Sequence, residues 1–446
     1  MIENDAFKLL LINLFHLNPD DIANILCTTF NKMMVLIVTL ADKHQACPYC
    51  GFTAPKIKEY VTKEITHSAL TTQKCIIKYR ARRYKCSCCG KTYYEFNPFV
   101  FKSQKISILT VHNILKDLKD FNETFTSVAR RYHVSPTSVS TIFDKHVDIG
   151  RNPLPEIINF DEVYAFKSEK SKYVCVLLDF KKQIPVDVLP NRKKEYLLNY
   201  FQKIPLEERK KVKYACSDMY EVYRDVVHKV FPSCCMLLDY FHLSQDFHRK
   251  MNEVRIKVMK GYKDNKASDE YYLLKKFNWL LFKNPEDEDK YGRLFDVERE
   301  RKYNSHFKSY MNYYDLRKKL LEINNDLTIC YSLKLELVDF YSKSTIDNAK
   351  VNLENLIRSC IDTNIDEMIA FSNNLINWKQ EIINSFTIVG TEYKVEADKG
   401  QVVVCNKKVN NAIIENRNKI IKCIKNNANG YTNWSRFRNR VMYVLD

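Results

Sequence analysis

The sequence predicts a multidomain α+β protein, and three observations carry that prediction. Two Cys-x-x-Cys-Gly knuckles, Cys47–Gly51 and Cys86–Gly90, stand in a first segment rich in alternating, strand-like runs. Between residues 153 and 248, short apolar strands end in carboxylates. From Leu243 to Ile388, apolar residues recur at helical spacing among many charges. At 446 residues the chain has room for roughly two to four domains.

Composition narrows the class. With 45% hydrophobic residues the chain can bury real cores, which excludes wholesale disorder. The net charge of +17 is spread along the chain rather than confined to a tail. Such a surplus fits a polyanion, nucleic acid above all, because phosphates release counterions when lysine and arginine replace them. A merely basic surface is the plain alternative. The fifteen cysteines are an odd number, and MIENDAFKLLL lacks the basic start of a signal peptide. Met33–Leu40 is apolar but too short to span a bilayer. The expectation is a cytoplasmic chain without a membrane partner, whose paired cysteines bind metal rather than each other.

Residues 1–100 are expected to form a zinc-ribbon-like domain. MMVLIVTLADKHQ leads into the first knuckle, and IKEYVTKEITH and KCIIKYRARRYKC alternate between the knuckles. Four thiolates, Cys47, Cys50, Cys86 and Cys89, can close a tetrahedral zinc site, and each glycine lets the turn aim amides at sulfur. Buried cysteines acting as small hydrophobes are the competing reading.

Residues 101–152 read as a helix-turn-helix. Ile106–Leu118 has helical spacing, and FTSVARRYHVSPTSVSTIFDKHV gives a helix, a turn at His133-Val134-Ser135, and a second helix. Ser135 caps that second helix and Pro136 opens it. Placed in a major groove, Pro136–His146 would turn Thr137, Ser138 and Ser140 to base edges. Arg130, Arg131 and Lys145 would meet phosphates. An ordinary helical hairpin is the alternative.

Asn152-Pro153-Leu154-Pro155 is a linker, since two prolines exclude helix and central strand. Residues 153–248 then give three strands (IINFDEVYAF, YVCVLLDF, IPVDVLP), a helix at Lys194–Ile204, a strand Val212–Cys216, a helix, and a strand Cys234–Leu238. This is the order of a ribonuclease-H-like α/β core. Asp161 lies on its first strand, Asp218 just after its fourth and Asp239 after its fifth, near the carboxyl ends where open α/β sheets build sites. Residues 249–400 are expected to be an all-helical insertion, too long for a loop. TEYKVEADKGQVVVC reads as a small hairpin turning at Asp398-Lys399-Gly400. Residues 401–446 close the core with a helix whose one acid, Glu415, precedes Arg417, Lys419, Lys422 and Lys425.

Three carboxylates from separate elements repel one another unless a cation neutralises them. Oxygen ligands suit magnesium or manganese, which accept substrate phosphates as further ligands. Two such ions, roughly 3.5–4 Å apart, activate a water or 3′-hydroxyl and stabilise the leaving oxygen. Asp161, Asp218 and Glu415 are therefore a candidate phosphodiester-transfer site. Any one of them alone reads first as an ordinary acid, and Glu415 as a helix salt bridge; their placement at strand ends and in the basic last helix raises the joint reading.

The succession CPYCG…CSCCG, helix-turn-helix, FDE, SDMY…FP…LLDYFH and ENRNKIIKCIKNNANGYTNWSRFRNR resembles the ISL-three family of bacterial insertion-sequence transposases. The resemblance covers nearly the whole chain. It implies a DDE enzyme that binds terminal inverted repeats and performs magnesium-dependent cleavage and strand transfer, with zinc in the N-terminal module. Its partners would be double-stranded DNA, as element ends and target, and further copies of the chain on that DNA. A small-molecule substrate is not expected, and the place of action would be the nucleoid. Asp161 would be the first acid, Asp218 the second and Glu415 the third, with Asp239 and His242 (the family's D-x-F-H) as supporting residues. Asn411-Ala412 and Asn416 stand where the family has an Asn-Gly pair and a Gly. The competing functions are a decayed DNA-binding protein and a metal-dependent nuclease without strand transfer.

Overall fold

The computed structural model describes residues 2–43, 46–68, 70, 72–102, 104–166, 171–395 and 402–446. The chain divides into two compact units, Met1–Arg151 with Tyr164–Lys167 and Lys419–Asp446, and Asn152–Val163 with Ser168–Asn418.

In the first unit, helix α1 (Ile2–Leu14) precedes strands β1 (Ile22–Phe30), β2 (Met33–Leu40), β3 (Lys56–Thr66), β4 (Cys75–Lys85) and β5 (Thr92–Tyr94). They form one sheet in the order β1-β2-β4-β3, with β5 beside β4. Asn31 and Lys32 join β1 to β2 with φ of 48° and 60°, the paired left-handed backbone of a two-residue hairpin. Leu11, Ile12, Phe15, Leu36, Ile77 and Tyr79 build the core beneath the sheet. Helices α2 (Ile108–Asp117), α3 (Phe125–Arg131) and α4 (Pro136–His146) follow. Ser135 accepts from the Ser138 amide, Pro136 opens α4, and His133 turns the chain at φ 53°.

The second unit is organised around a five-stranded sheet in the order β10-β9-β6-β7-β8. Its strands are β6 (Ile157–Val163), β7 (Val174–Asp179), β8 (Pro185–Leu189), β9 (Tyr214–Ser217) and β10 (Cys235–Leu238). β6, β7 and β8 are an antiparallel meander; β9 runs parallel to β6, and β10 parallel to β9. Helices α5 (Lys194–Gln202), α6 (Leu206–Arg209) and α7 (Glu221–Val230) connect them. Successive strand residues face opposite sides. Ile158 and Phe160 therefore pack with Leu197, Phe201, Tyr223 and Val227, while Ile157 packs with Cys216, Leu237 and Val409 on the other face. That second face also carries Asn159 and Asp161.

Helix α8 (Tyr240–Lys260) begins directly after β10, capped by Asp239, so the expected border at residue 248 falls inside a continuous helix. A helical block follows: α9 (Asp269–Lys276), α10 (Tyr313–Glu322), α11 (Asn325–Lys343), α12 (Ala349–Asp362), α13 (Asp366–Asn377) and α14 (Lys379–Asn384). It is not all helical. Two hairpins, β11 (Glu288–Asp289) with β12 (Gly292–Arg293) and β13 (Lys302–Asn304) with β14 (Ser309–Met311), interrupt it. They are too short to show a two-residue periodicity in the sequence. β15 (Ile388–Val395) pairs with β16 (Val402–Lys408); the expected turn at Asp398-Lys399-Gly400 lies outside the described residues. The last helices are α15 (Ala412–Asn427) and α16 (Trp434–Leu445). Residues 401–446 are thus no single closing element, because Lys419–Asp446 clusters with the first unit. The buried Arg440 of α16 ties it there by donating to the carbonyls of Asp120 (2.8 Å) and Glu123 (2.9 Å). No helix among the described residues is long and apolar enough to cross a membrane.

The helical block contains one costly group. Lys334, 1% exposed, donates from Nζ to the carbonyls of Leu281 (3.2 Å) and Lys283. Burial pulls its pKa down to about 7. An unfolded lysine keeps its proton to about pH 10.4, so above pH 7 this group binds more protons in the unfolded state and its own contribution to stability rises with pH. Lys334→Met should flatten that rise. Denaturation midpoints at about pH 7 and pH 9.5 check this: the stability of wild type relative to the variant should grow between them, and an unchanged difference would remove Lys334 from the pH dependence.

Candidate active site and cysteine centre

Asp161 leaves β6 toward the face that α15 covers. Its Oδ1 accepts from the Glu162 amide (2.8 Å) and its Oδ2 from Asn418 Nδ2 (2.7 Å), so both oxygens have fixed directions. Asp218 follows β9, and its carboxylate accepts from the Tyr220 amide at 3.2 Å. Asp239 follows β10, is 5% exposed, and caps α8 by accepting from the Phe241 amide. One turn along α8, His242 Nε2 lies 4.0 Å from Asp239 Oδ2 and 3.7 Å from Glu415 Oε1. Glu415 reaches this place because α15 docks through its asparagines. Asn159 Nδ2 donates to Asn411 Oδ1 (2.7 Å), and Asn411 is itself fully buried.

The electrostatics are those of crowded carboxylates. Burial, then the nearby Asp218 and Glu162, push the Asp161 carboxyl up to about 7. Burial likewise raises Asp218 and Asp239, the latter with Glu415 adding to the repulsion, while His242 opposes both shifts. Asp239, His242 and Glu415 offer ligand atoms within 4.8 Å of one another. The expected triad is distributed differently: Asp161 and Asp218 sense each other, Glu415 sits with Asp239 and His242, and His242 is the shared neighbour. His242 Nε2 is buried without a hydrogen-bond partner, although two carboxylates face it. An oxygen-rich donor set with raised pKa values at its three aspartates and an orphaned ring nitrogen fits a divalent cation, which would offset the repulsion. Beside it opens a cleft of ≈ 340 Å³ lined by Glu162, Asp218, Tyr220, His242, Gln245 and Arg249.

Sequence reasoning missed the asparagines. Asn411, Glu415 and Asn418 stand at helical spacing, so a wheel drawn on α15 puts all of them on one face. It also missed Arg192, which pairs with Glu162 and lies over the rings of Tyr173 and Tyr220.

The four knuckle cysteines converge. Cys47 Sγ lies 3.7 Å from Cys89 Sγ, and Cys50 Sγ 3.5 Å from Cys86 Sγ. A tetrahedron with Zn–S near 2.3 Å has edges of about 3.8 Å, so the spacing fits zinc. Gly51 and Gly90, at φ 76° and 69°, make the turns that close each knuckle. Amides of Cys89 and Cys88 aimed at Cys86 hold its thiol down at about 7, poised to become thiolate.

The helix-turn-helix residues divide. Arg130, Thr137 and Lys145 are exposed. The Ser138 and Ser140 hydroxyls are engaged within α4, with Ser135 Oγ (2.8 Å) and the Thr137 carbonyl (3.0 Å). Arg131 departs from expectation. It is paired with both Asp117 and Glu123, so its charge is compensated within its own domain rather than offered to phosphate.

With this geometry in place, the comparison with known families decides the class. The profile of ISL-three-type DDE transposases, described as "Transposase", matches residues 158–397, more than half of the chain. The chain belongs to the ISL-three transposase family. The matched span holds Asp161, Asp218, Asp239 and His242, and stops before Glu415. The transposase for insertion sequence element IS1001 of Bordetella parapertussis is 19% identical over 391 residues, covering 87% of this chain and 86% of its own length. As a DDE transposase, the protein is of a nucleic-acid-cleaving class that uses divalent metals and has DNA as its partner.

Proposed function

We propose that this ISL-three transposase binds the terminal inverted repeats of a bacterial insertion sequence and carries out metal-dependent cleavage and strand transfer. Asp161, Asp218 and Glu415 are its catalytic carboxylates, with Asp239 and His242 supporting them. One observation carries the reading: Asp161, Asp218 and Asp239, from three strands of a β10-β9-β6-β7-β8 sheet, all lie near His242, which also faces Glu415 from a helix far along the chain. A three-stranded meander whose first strand continues, on its other side, into two parallel strands is the strand order of a ribonuclease-H-like core, and the helical block between β10 and β15 would be its insertion. The site would act in the cytoplasm on chromosomal DNA, with more than one copy of the chain on the paired ends.

Magnesium or manganese bound at these carboxylates supplies an activated water or 3′-hydroxyl and stabilises the leaving oxygen. The chain's own residues do the positioning. Asn418 and the Glu162 amide hold Asp161 in one rotamer, which keeps its ligand geometry from wandering. Arg249, on the cleft wall, is paired with Asp246, so its charge is compensated within α8. The Cys47-Cys50-Cys86-Cys89 centre would hold zinc, α4 would read DNA through Thr137 and meet phosphate through Lys145, and Arg130 of α3 would meet phosphate beside it.

The test is whether purified protein nicks and joins DNA carrying the element's own ends in magnesium or manganese. Absence of both, with end binding intact, would leave a DNA-binding protein whose catalysis has decayed. Binding itself makes a further prediction. Lys145→Ala should weaken all duplexes about equally and lower the salt slope by about 1, whereas Thr137→Ala should alter preference among end sequences. Titrations at several salt concentrations read both effects.

A further inference from the structure

We infer that the hairpin-bearing part of the insertion holds an unpaired nucleobase of the DNA on which the protein acts, an inference that rests on the transposase reading above. The hairpins β11/β12 and β13/β14, with α9 and α10, enclose a pocket of ≈ 640 Å³, large enough for a nucleotide. Its walls include Tyr272, Tyr291, Tyr303 and Tyr313 over the buried Met311 and Leu316. Tyr291 is 67% exposed and Tyr303 58%, and Tyr310, 5.5 Å from Tyr303 between ring centres, is 68% exposed. Strands of two and three residues have no core for these rings to complete, so the rings are displayed rather than packed.

The frame under them is fixed. Asn312 is buried, caps α10, and donates to the carbonyls of Val297 and Arg299 at 3.1 Å each. Arg299 in turn holds Asp289 (2.6 Å) and the carbonyl of Arg293 (3.0 Å). Tyrosine faces on a rigid frame are a stacking platform that loses little freedom on binding. Lys290 lies over the Tyr291 ring at 4.7 Å, and Lys302 and Arg299 at 5.9 Å; a stacking base would displace the flexible lysine ends, which could then meet its backbone phosphate.

Charge separates base from phosphate as the recognised part. Lys276, Arg293, Arg299 and Lys302 line the pocket, but so do Asp289, Asp296 and Glu300. Four cations against three carboxylates nearly cancel, which is a poor phosphate track and a good surround for a flat ring with a polar edge. A base inside a duplex has both faces covered and cannot stack on tyrosine. The occupant is therefore an extruded or single-stranded base.

The test uses full-length protein without added divalent ions, so that no cleavage occurs. End duplexes carrying a short single-stranded tail with 5-iodouracil are irradiated, and the cross-linked peptide is mapped by mass spectrometry. Cross-links should fall at Tyr291 or Tyr303. In anisotropy titrations, Tyr291→Ala with Tyr303→Ala should weaken binding of tailed DNA by about 5- to 150-fold per stacked base while fully paired DNA binds as before. The corresponding phenylalanine variants should retain wild-type affinity. Cross-links only elsewhere, an alanine variant indistinguishable from wild type, or an abasic tail that binds as well as a normal one would each overturn the site. The two readings fail separately: a protein that cleaves ends but shows none of this loses only the pocket, and one that passes here yet never cleaves loses only the catalytic proposal.

Discussion

Asp218→Ala is expected to abolish cleavage and strand transfer, by roughly a thousandfold or more, while leaving end binding almost unchanged. Asp218 stands at the end of β9, beside Asp161 and on the wall of the open cleft. On the proposed site, removing it would delete an oxygen ligand and shift whatever it positions away from the scissile phosphate, and small misplacements of reacting groups are expensive. Binding should survive because the lost charge is negative and the partner is a polyanion. Asp161→Ala should match it. Single-turnover cleavage and gel-shift titration on the same preparations read both quantities. A variant that cuts at near wild-type rate would remove Asp218 from the chemistry.

The third acid is the sharper question, because Glu415 and Asp239 share His242. Glu415→Ala should be as damaging as Asp218→Ala, whereas Asp239→Ala should be milder in rate but should also loosen the start of α8, which Asp239 caps. The loss of an N-cap amounts to about 1 kcal/mol and leaves the fold intact. An active Glu415→Ala protein beside an inactive, folded Asp239→Ala protein would transfer the third role to Asp239.

Local chemistry made much of this legible. Asp218 and Asp239 stand where short continuous apolar runs stop and Asp161 within another, and that pattern requires only neighbouring residues. Ser135 and Pro136 mark the start of α4 for the same reason. Features that depend on distant segments were not legible. Nothing near Glu415 says that Asn411 will bond Asn159, more than 250 residues away in sequence, and the docking of α15 rests on that pair. Arg131 looks like any exposed cation until Asp117 and Glu123 fold around it. The hairpins at 288–293 and 302–311 lie among charged residues that a helix accommodates equally well, so neither period nor composition separates them.

Removing zinc should melt one end of the N-terminal sheet without unfolding the rest. The purified protein should carry about one zinc per chain, held by four thiolates in a closed site. In small zinc fingers the metal is the core, and chelation unfolds the whole module. Here the sheet has its own core in Leu36, Ile77, Tyr79, Ile12 and Phe15, which includes none of the four knuckle cysteines. The cysteine end has only Tyr84 and Tyr93 packed with Cys47 and Cys86. Stripping the metal with a strong chelator should therefore raise amide hydrogen exchange across residues 47–52 and 84–94, while β1 and β2 stay protected. Cys86→Ser should reproduce the effect, because serine cannot replace the thiolate whose proton the Cys88 and Cys89 amides already loosen. A metal-free preparation with the same exchange pattern as the native protein would reduce the four cysteines to packing. Exchange that rises equally through β1 and β2 would show that the core of this sheet depends on the metal after all.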